Sequence, residues 1–352
     1  MYTLGEKIKF TLSGESHSEY IGGTLEGIPA GVYLNPALIG RDIKLRKPSA
    51  NIGTARTETD EPEFESGIVD WVTDGNPIHF KVRNKNTDGS KYKAFNRTPR
   101  PGHADLPALA KFKDHNIEGG NQFSGRLTVA IVVAGSIAKQ YISQKGVVIY
   151  AFTKSVGAVD DAMPRTLIDA KNSGSFPTRA CDSTLNDAMT EEIVGASSDK
   201  DSVGGVVECI TEGLPIGFGG IWFESLDAEI ARAVFSIPGC KGVEFGKGFR
   251  LSGMRGSKSN DPFYYNEGVK TKTNNMGGIL GGMSDGAPMV FRAVFKPTPS
   301  IGKEQDTVDL KTHTDSKLKI EGRHDPCIVP RAVVVVEAVT ALVIADQIQR
   351  GF

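Results

Sequence analysis

The sequence predicts an α+β protein built from two related halves. Strand-like and helix-like segments alternate along the chain, and one strand with its turn occurs twice. The turn Glu26-Gly27-Ile28-Pro29-Ala30-Gly31 returns as Glu212-Gly213-Leu214-Pro215-Ile216-Gly217, and a long apolar helix follows in each half. We interpret this repeat as two halves packed about a pseudo-twofold axis. The alternative is a chance similarity between two turns rich in glycine and proline.

The first half is predicted to contain two early strands and a buried helix. Residues 8–12 and 22–26 are strand-like. Asn35 followed by Pro36 indicates a helix start, because asparagine caps helices and proline is favoured at the first helical position. Residues 127–141 are apolar nearly all round, as in a buried helix, and Gly146 is a natural stop signal.

The second half repeats this order. Residues 207–211 predict a strand, and residues 225–227 predict the start of the helix that contains residues 228–232. Residues 332–348 form the second apolar segment. The β-branched runs in both apolar segments would also suit central strands, but lengths above ten residues favour helices.

These patterns predict a single domain that spans residues 1–352. Its halves cover approximately residues 1–153 and 203–352. Residues 154–202 are polar and irregular, and we interpret them as the connection between the halves, not as a disordered linker.

Composition excludes recognition through overall charge. The chain has 41 Lys and Arg against 42 Asp and Glu, so we expect neither nucleic acid nor membrane as a partner. The N-terminus lacks an apolar core of signal-peptide length, and Glu337 and Asp346 interrupt the longest apolar stretch. The four cysteines show neither C-x-x-C pairs nor zinc-site spacing, which is typical of reduced thiols. We expect a soluble cytoplasmic protein without a disulfide framework or a metal site.

Titratable side chains concentrate in three short segments. In two of them a histidine, His17 or His103, lies in a loop that contains glycine; the third is Gly322-Arg323-His324-Asp325-Pro326-Cys327. Pro326 biases Asp325 towards an extended turn, which fixes its carboxylate. Each segment alone suits a solvated loop. Three together favour proton-transfer chemistry, since histidine and carboxylate are the usual donors and acceptors.

Other segments indicate an anion site. Arg126 begins an apolar helix, where a cation is unfavourable against the positive end of the helix dipole unless an anion is shared there. Lys296-Pro297-Thr298-Pro299-Ser300 offers an ammonium and hydroxyls on a stiff backbone, a suitable phosphate cradle. The glycine-rich residues 274–284 would let a flat ligand approach the backbone. Neither a P-loop nor a dinucleotide-binding fingerprint is present.

In this order the segments resemble the chorismate synthase family, over residues 5–350. The matching motifs are Gly14-Glu15-Ser16-His17, Arg100-Pro101-Gly102-His103-Ala104-Asp105, Asp201-Ser202-Val203-Gly204-Gly205, Lys241-Gly242-Val243-Glu244, Gly256-Ser257 with Asn260-Asp261, Asn274-Asn275, Gly277-Gly278-Ile279-Leu280-Gly281-Gly282, Lys296-Pro297-Thr298 and Gly322-Arg323-His324-Asp325-Pro326-Cys327. Several motifs of six residues in family order are highly specific.

The resemblance implies a carbon-oxygen lyase that acts on phosphates. The family converts 5-enolpyruvylshikimate 3-phosphate to chorismate by a 1,4-anti elimination of phosphate, the last step of the shikimate pathway towards aromatic amino acids. It requires reduced FMN, with NADPH or an external reductase as the source of electrons. The implied fold is a β-α-β sandwich of two pseudo-repeated halves, assembled as a homotetramer. Because bifunctional members carry insertions that this compact chain lacks, we expect external reduction of the flavin.

The resemblance also implies residue roles. His103 would protonate the departing phosphate, His17 would donate to the reduced flavin, and Asp325 would act as base on flavin N5, while His324 supports the turn. The implied substrate-binding cations are Arg46, Arg56, Arg100 and Arg126. The implied FMN contacts are Gln122, Phe123, Ser124, Pro238, Gly239, Gly281, Lys296, Pro297, Thr298, Pro299, Ser300 and Arg323.

The chain departs from the family pattern in four places. Ser18 replaces a common glycine, Gln122-Phe123-Ser124 replaces Arg-Ser-Ser, Val333-Val334 replaces an expected proline, and a basic residue expected near Asn51 is absent. Two other classes remain as alternatives. One is a catalytically inactive flavin or sugar-phosphate binding protein, against which the retention of all three proton-transfer groups argues. The other is a metal-dependent hydrolase using the histidines and Asp325, although no H-E-x-x-H motif is present.

Overall fold

The computed structural model describes residues 2–49, 52–53, 59–85, 94–112, 118–320 and 324–352. Its α-helices are α1 (Pro36–Arg46), α2 (Asp105–Lys111), α3 (Thr128–Ser143), α4 (Leu167–Asn172), α5 (Ser183–Ser198), α6 (Leu226–Phe235), α7 (Gly256–Ser259) and α8 (Val329–Arg350). The caps predicted for α1 and α6 are confirmed. Asn35 accepts a hydrogen bond from the backbone of Ala37, and Ser225 accepts one from Ala228.

Two five-stranded sheets and four hairpins account for the strands. The strands are β1 (Tyr2–Leu4), β2 (Lys9–Gly14), β3 (Tyr20–Glu26), β4 (Pro62–Phe64), β5 (Ile68–Val69), β6 (Val72–Thr73), β7 (Ile78–Arg83), β8 (Val148–Val156), β9 (Val159–Asp160), β10 (Gly205–Glu212), β11 (Cys240–Phe245), β12 (Phe263–Tyr265), β13 (Val269–Thr271), β14 (Ile279–Leu280), β15 (Met283–Ser284), β16 (Met289–Phe295), β17 (Glu304–Asp309) and β18 (Thr314–Lys319). The first sheet has the order β1-β2-β3-β7-β4 and the second the order β11-β16-β10-β8-β9. Neighbouring strands in both sheets are antiparallel.

The two apolar helices form a layer between the sheets. Helix α3 packs on β3, β2 and β7 of the first sheet, whereas α8 packs on β8 and β10 of the second, and the two helices pack against each other. Both are almost completely buried along their length. The expected β-α-β sandwich and the buried helices are therefore confirmed.

The repeated turns have the same backbone conformation. Gly27 and Gly213, the first glycines of the two turns, have φ values of 86° and 91°, and Gly31 and Gly217 have values of 87° and 83°. A Cβ atom at Gly27 or Gly213 would lie 2.0 Å from a backbone carbonyl oxygen, so only glycine fits there. Each turn ends the central strand of its sheet, β3 or β10, which supports the internal repeat.

The predicted end of the first half, at residue 153, falls inside a strand of the second sheet. Its strand β8 covers residues 148–156 and so runs across residue 153. Residues 154–202, expected to be irregular, contain α4 and α5. Helix α4 has a capping box between Thr166 and Asp169, and Asp182 caps α5. Because the segment is polar, its sequence was interpreted as irregular, and these two helices were not predicted.

Two acidic residues in α8 are buried and accept hydrogen bonds from partners elsewhere in the chain. Asp346 Oδ1 accepts hydrogen bonds of 2.6 to 3.0 Å from the backbone N–H groups of residues 6–8. Glu337 accepts from Lys139 at 2.6 Å and from the backbone of Ala151 at 2.9 Å. These contacts tie α8 to the chain start, to α3 and to β8. Within the described ranges, no helix combines the length and hydropathy that crossing a membrane requires.

Gly135 sets the close approach of α3 and α8. A Cβ atom at this position would lie 2.3 Å from Ala338 Cβ and 2.4 Å from Ala338 Cα. Because a backbone atom cannot rotate away, Gly135→Ala forces the helices apart. We expect a loss of about 1–3 kcal/mol in the free energy of unfolding, measured by denaturant titration.

Gly195 in α5 is the matched control. It also lies inside a helix, but no heavy atom lies within 4 Å of an added Cβ. Gly195→Ala is therefore expected to stabilise the protein by about 0.5–1 kcal/mol. Equal effects of the two substitutions would contradict the close packing of α3 on α8.

Candidate active site

His17 lies in a turn directly after β2, and the end of β7 holds this turn. Ser16 Oγ lies 2.9 Å from His17 Nδ1. Asn84, just after β7, donates from Nδ2 to the carbonyl oxygens of Ser18 at 2.8 Å and Glu15 at 3.3 Å. The Ser18 hydroxyl bonds to carbonyls within the turn, so serine at this departure from the family pattern reinforces the loop.

His103 lies in the turn before α2 and contacts the segment after β16. Its Nδ1 lies 3.2 Å from the carbonyl oxygen of Pro101, and its Nε2 lies 2.9 Å from Ser300 Oγ. Burial, followed by the adjacent Arg100 cation, lowers the pKa of His103 to about 4. The imidazole is therefore neutral at pH 7 in this state. Since a carbonyl only accepts, Nδ1 carries the proton and Nε2 accepts from Ser300.

Arg100 is held by a carboxylate from its own turn. Its Nε and Nη2 atoms each donate to Asp105 at 2.7 Å, and both side chains are buried. The guanidinium also stacks over the Phe95 ring, 4.6 Å from its centroid. This bidentate pair fixes the cation one turn away from the His103 imidazole.

Arg46 and Arg126 share one buried carboxylate, that of Asp60. Arg46 Nη2 donates to Asp60 Oδ2 at 2.8 Å, and Arg126 Nη1 donates to Asp60 Oδ1 at 2.6 Å. Burial opposes the charge on Asp60, but the two arginines outweigh it and lower its pKa. The carboxylate that pairs with Arg126 thus belongs to the chain itself, whereas the sequence predicted a site for an anionic ligand there.

Positive charge nevertheless exceeds negative charge in this cluster. Burial, together with the cations of Arg331 and Arg126, lowers the pKa of Arg46 to about 10. Arg46 Nε and Arg126 Nη2 are buried donors without a hydrogen-bond partner among the residues that the structure describes. Buried unpaired donors are unfavourable, so the cluster is suited to receive a further anion.

Asp325 is connected to the same cluster through Arg331. Arg331 Nη1 donates to Asp325 Oδ2, and Arg331 Nε donates to the carbonyl oxygen of Arg46 at 3.0 Å. Asp325 Oδ1 is buried without a partner in the described part of the chain. The Nε2 atom of His324 lies 3.4 Å from the carbonyl oxygen of Ile320. His324 therefore contacts the backbone just before the turn, whereas Asp325 keeps one oxygen available as a proton acceptor.

A sequence model of the chorismate synthase family matches residues 8–349. The chain belongs to this family. Chorismate synthase of Thermococcus kodakarensis is 45% identical over 98% of this chain and 97% of its own length, and that of Korarchaeum cryptofilum is 43% identical over 99% and 97%. A crystal structure of chorismate synthase superposes with a TM-score of 0.79 at 27% identity, covering 99% of this chain and 93% of the other.

Membership in the chorismate synthase family assigns the reaction that the chain catalyses. The chain is a lyase that converts 5-enolpyruvylshikimate 3-phosphate to chorismate and phosphate, in the shikimate pathway to aromatic amino acids. Members of the family need reduced flavin for this elimination. No three His, Cys, Asp or Glu side chains in the described ranges are grouped so that they could hold a metal ion.

Two of the FMN-binding segments expected of a chorismate synthase, residues 238–239 and 296–300, meet in one place. The backbone N–H of Lys296 donates to the carbonyl oxygen of Gly239 at 3.0 Å. The Lys296 ammonium donates to the carbonyl oxygen of Gly102. A Cβ atom at Gly102 would lie 2.8 Å from Pro299 Cβ, so the His103 turn packs directly on residues 296–300.

This place has the chemistry to hold a phosphate monoester such as FMN. Burial and the neighbouring ammonium of Lys241 lower the pKa of Lys296, which indicates two cations facing the same region. Thr298 Oγ1 is buried without a hydrogen-bond partner among the described residues, while Ser202 holds the Thr298 carbonyl oxygen at 2.6 Å. An anionic ligand would neutralise the ammonium groups and pair the hydroxyl.

Other expected site residues lie elsewhere or outside the described ranges. Gly281 lies between β14 and β15, and that hairpin bonds to residues 217–226, not to residues 296–300. Ser124 Oγ accepts from the backbone of Arg126 at 3.2 Å and so caps the short helical turn that contains Arg126. Arg56 and Arg323 lie outside the residues that the structure describes.

Sequence reasoning missed three residues that organise the site: Asp60, Asn84 and Arg331. Asp60 lies in an acidic stretch whose composition is typical of exposed loops, yet its side chain is only 1% accessible. Their partners are distant in sequence, so no local pattern marks them. The only available signal was the group of arginines assigned to one substrate pocket, because cations brought together in a pocket require a carboxylate nearby.

Proposed function

We propose that His17, His103 and Asp325 carry out the proton transfers of the elimination in one pocket. For Asp325 and His17, the observation that carries this proposal is a continuous series of hydrogen bonds from Asp325 to the His17 turn. It runs through Arg331, Arg46, Asp60, Arg126 and Asn84. These contacts keep the proposed base and the proposed donor in a fixed relation around an excess of positive charge.

The arginines bind the substrate, which carries two carboxylates and a phosphate. Arg46 and Arg126 present N–H groups that are unpaired among the described residues, and Arg100 adds a fixed cation beside His103. Arg56 completes the set by its position in the family pattern. Several cations are required, because the anionic groups of substrate and FMN would otherwise repel each other in one pocket.

His103 protonates the departing phosphate. The imidazole is neutral in the structure, and a phosphate bound beside it would favour the protonated form and raise its pKa. The C–O bond to phosphate then breaks with its electron pair on oxygen, which receives the proton. Asp325 Oδ1 takes up the proton that the carbon skeleton releases, and His17 donates a hydrogen bond to the reduced flavin.

FMN would be held by residues 296–300, by Pro238 and Gly239 and by residues 122–124, and the family pattern adds Arg323 and Gly281. The two lysines and the Thr298 hydroxyl described above support a phosphate subsite at residues 296–300. Reduced FMN supplies the electron density that the reaction needs without net redox change. The chain contributes orientation and charge.

Arg126→Gln tests the substrate pocket. Removing this cation is expected to raise KM for 5-enolpyruvylshikimate 3-phosphate about 10- to 100-fold, since hydrogen bonds to charged groups contribute more than neutral ones. FMN affinity, measured by fluorescence titration, should change much less. Arg165→Gln removes another paired arginine, which bonds to Asp161 and Asp182 away from this cluster, and should leave KM unchanged. An unchanged KM in Arg126→Gln would exclude the arginine from the substrate site.

We further propose that the flavin is reduced externally. The family members that reduce their own flavin carry insertions, and the relatives matched here align over nearly their whole length with this compact chain. NADPH with oxidised FMN under anaerobic conditions should therefore give no chorismate, and adding a flavin reductase should start the reaction. Turnover with NADPH alone would contradict this proposal.

A cytoplasmic homotetramer is the assembly that we propose. Large aromatic side chains are exposed on the isolated chain, among them Trp222 at 81%, Phe223 at 94% and Phe249 at 84%. Contacts between copies would bury such surfaces. All four cysteines are free, which is compatible with a reducing compartment. Sedimentation velocity should give four times the mass of the chain, and a monomer would contradict the assembly.

A further inference from the structure

We propose that Asp60 is the positioning residue of the substrate pocket: its carboxylate sets two arginines so that each keeps an N–H available for the anionic substrate. This inference rests on the proposed role of Arg46 and Arg126 in substrate binding. Asp60 itself would not touch the substrate. It acts by fixing the distance and orientation of two like charges.

The hydrogen bonds of the cluster pair some N–H groups of Arg46 and Arg126 and leave others unpaired among the described residues. Asp60 uses one oxygen for each arginine, at 2.8 Å for Arg46 and 2.6 Å for Arg126. Arg126 Nε is held by Asn84 at 3.0 Å, and Arg46 Nη1 lies 3.4 Å from Thr128 Oγ1. Arg46 Nε and Arg126 Nη2 then remain without partners among the described residues. A single carboxylate therefore orients both groups without using all their donors.

Arg100, the other buried arginine that the family pattern assigns to the substrate, is neutralised differently. Asp105 accepts two bonds from Arg100 alone, so that pair is locally balanced. Asp60 instead shares one negative charge between two arginines, which leaves a surplus positive charge for a ligand. Without Asp60, Arg46 and Arg126 would repel each other in a buried site where charge interactions are weakly screened. Their guanidinium groups would then separate or take in water.

The backbone of Asp60 suits this role. Its φ of 51° lies in the left-handed region, which asparagine and aspartate adopt more readily than most residues. Asp60→Asn therefore removes the charge without adding backbone strain. Asp60→Gly also fits the backbone and leaves space for a small carboxylate.

Steady-state kinetics of Asp60→Asn with reduced FMN test the proposal. We expect KM for 5-enolpyruvylshikimate 3-phosphate to rise about 10- to 100-fold, with kcat reduced by less than about fivefold and FMN affinity unchanged. Asp161→Asn is the matched control, because Asp161 is equally buried, bonds to Arg165 and lies in the segment after β9. It should leave KM unchanged.

Chemical rescue gives a second readout that a structural role would not produce. In Asp60→Gly, millimolar formate should lower the raised KM towards the native value, since formate supplies the missing carboxylate. Formate should not rescue Arg126→Gln. A raised KM without rescue, or a KM that rises together with loss of FMN affinity, would overturn the positioning role.

Failure of this inference is distinguishable from failure of the proposed function. If Arg126→Gln raises KM and Asp60→Asn does not, the arginines bind substrate and Asp60 does not position them. If neither substitution changes KM, the substrate pocket itself is wrongly assigned, and the inference is overturned with it.

Discussion

Asp325→Asn is expected to lower kcat by about 100- to 10,000-fold while the protein folds and binds FMN normally. Asp325 Oδ1 is buried and has no partner in the described chain, whereas Oδ2 accepts from Arg331. Asparagine has the same shape, and its amide oxygen can still face Arg331. It cannot take up a proton near neutral pH, so only the proton transfer is removed.

The measurement is single-turnover formation of chorismate with reduced FMN, alongside FMN titration of the same variant. Asp161→Asn replaces another buried carboxylate that pairs with an arginine, and it controls for the general effect of such a change on stability. Near-native kcat in Asp325→Asn would remove Asp325 from the mechanism. A loss of FMN affinity equal to the loss of rate would instead indicate a binding role.

His103→Gln is expected to lower kcat by about 100-fold or more, with a smaller change in KM. Glutamine can keep a hydrogen bond to Ser300, but it cannot deliver a proton to phosphate. The acid role also requires the pKa of His103 to rise from about 4 when a phosphate-bearing ligand binds. Titration of the imidazole by NMR, with and without a substrate analogue, measures that shift. An unshifted pKa together with native kcat would contradict the assignment.

The low pKa of free His103 also predicts how stability changes with pH. The unfolded imidazole takes up a proton near its ordinary pKa of 6.5, but the folded one does so only at about 4. Stability from this residue is therefore present above pH 6.5 and is lost as pH falls towards 4. His103→Gln should lack this component in denaturant titrations across that interval, while the native chain shows it.

Local patterns explain which parts of the fold could be predicted from the sequence. The caps at Asn35 and Ser225 and the repeated glycine turns depend on neighbours within a few residues, and all were confirmed. Helix α5 was missed because serine, threonine and glycine weaken its helical pattern, although Asp182 marks its start. The pairing of β8 with β10 joins residues 49 to 64 positions apart, which no local pattern specifies.

In the candidate site, too, residues within local motifs could be predicted, whereas residues with distant partners could not. His17, His103 and Asp325 lie in compact motifs that indicate chemistry on their own. Asp60 could not be predicted, because its role depends on Arg46 and Arg126, which lie 14 and 66 residues away. A carboxylate in an acidic stretch gives no sign that folding will bury it between two cations.

One assay tests the central claim most directly. The purified chain is incubated without oxygen with 5-enolpyruvylshikimate 3-phosphate and dithionite-reduced FMN, and chorismate and inorganic phosphate are quantified together. Formation of both products in equal amounts, dependent on reduced FMN, is the expected result. Absence of both products under these conditions, from a folded chain that binds FMN, would contradict the account.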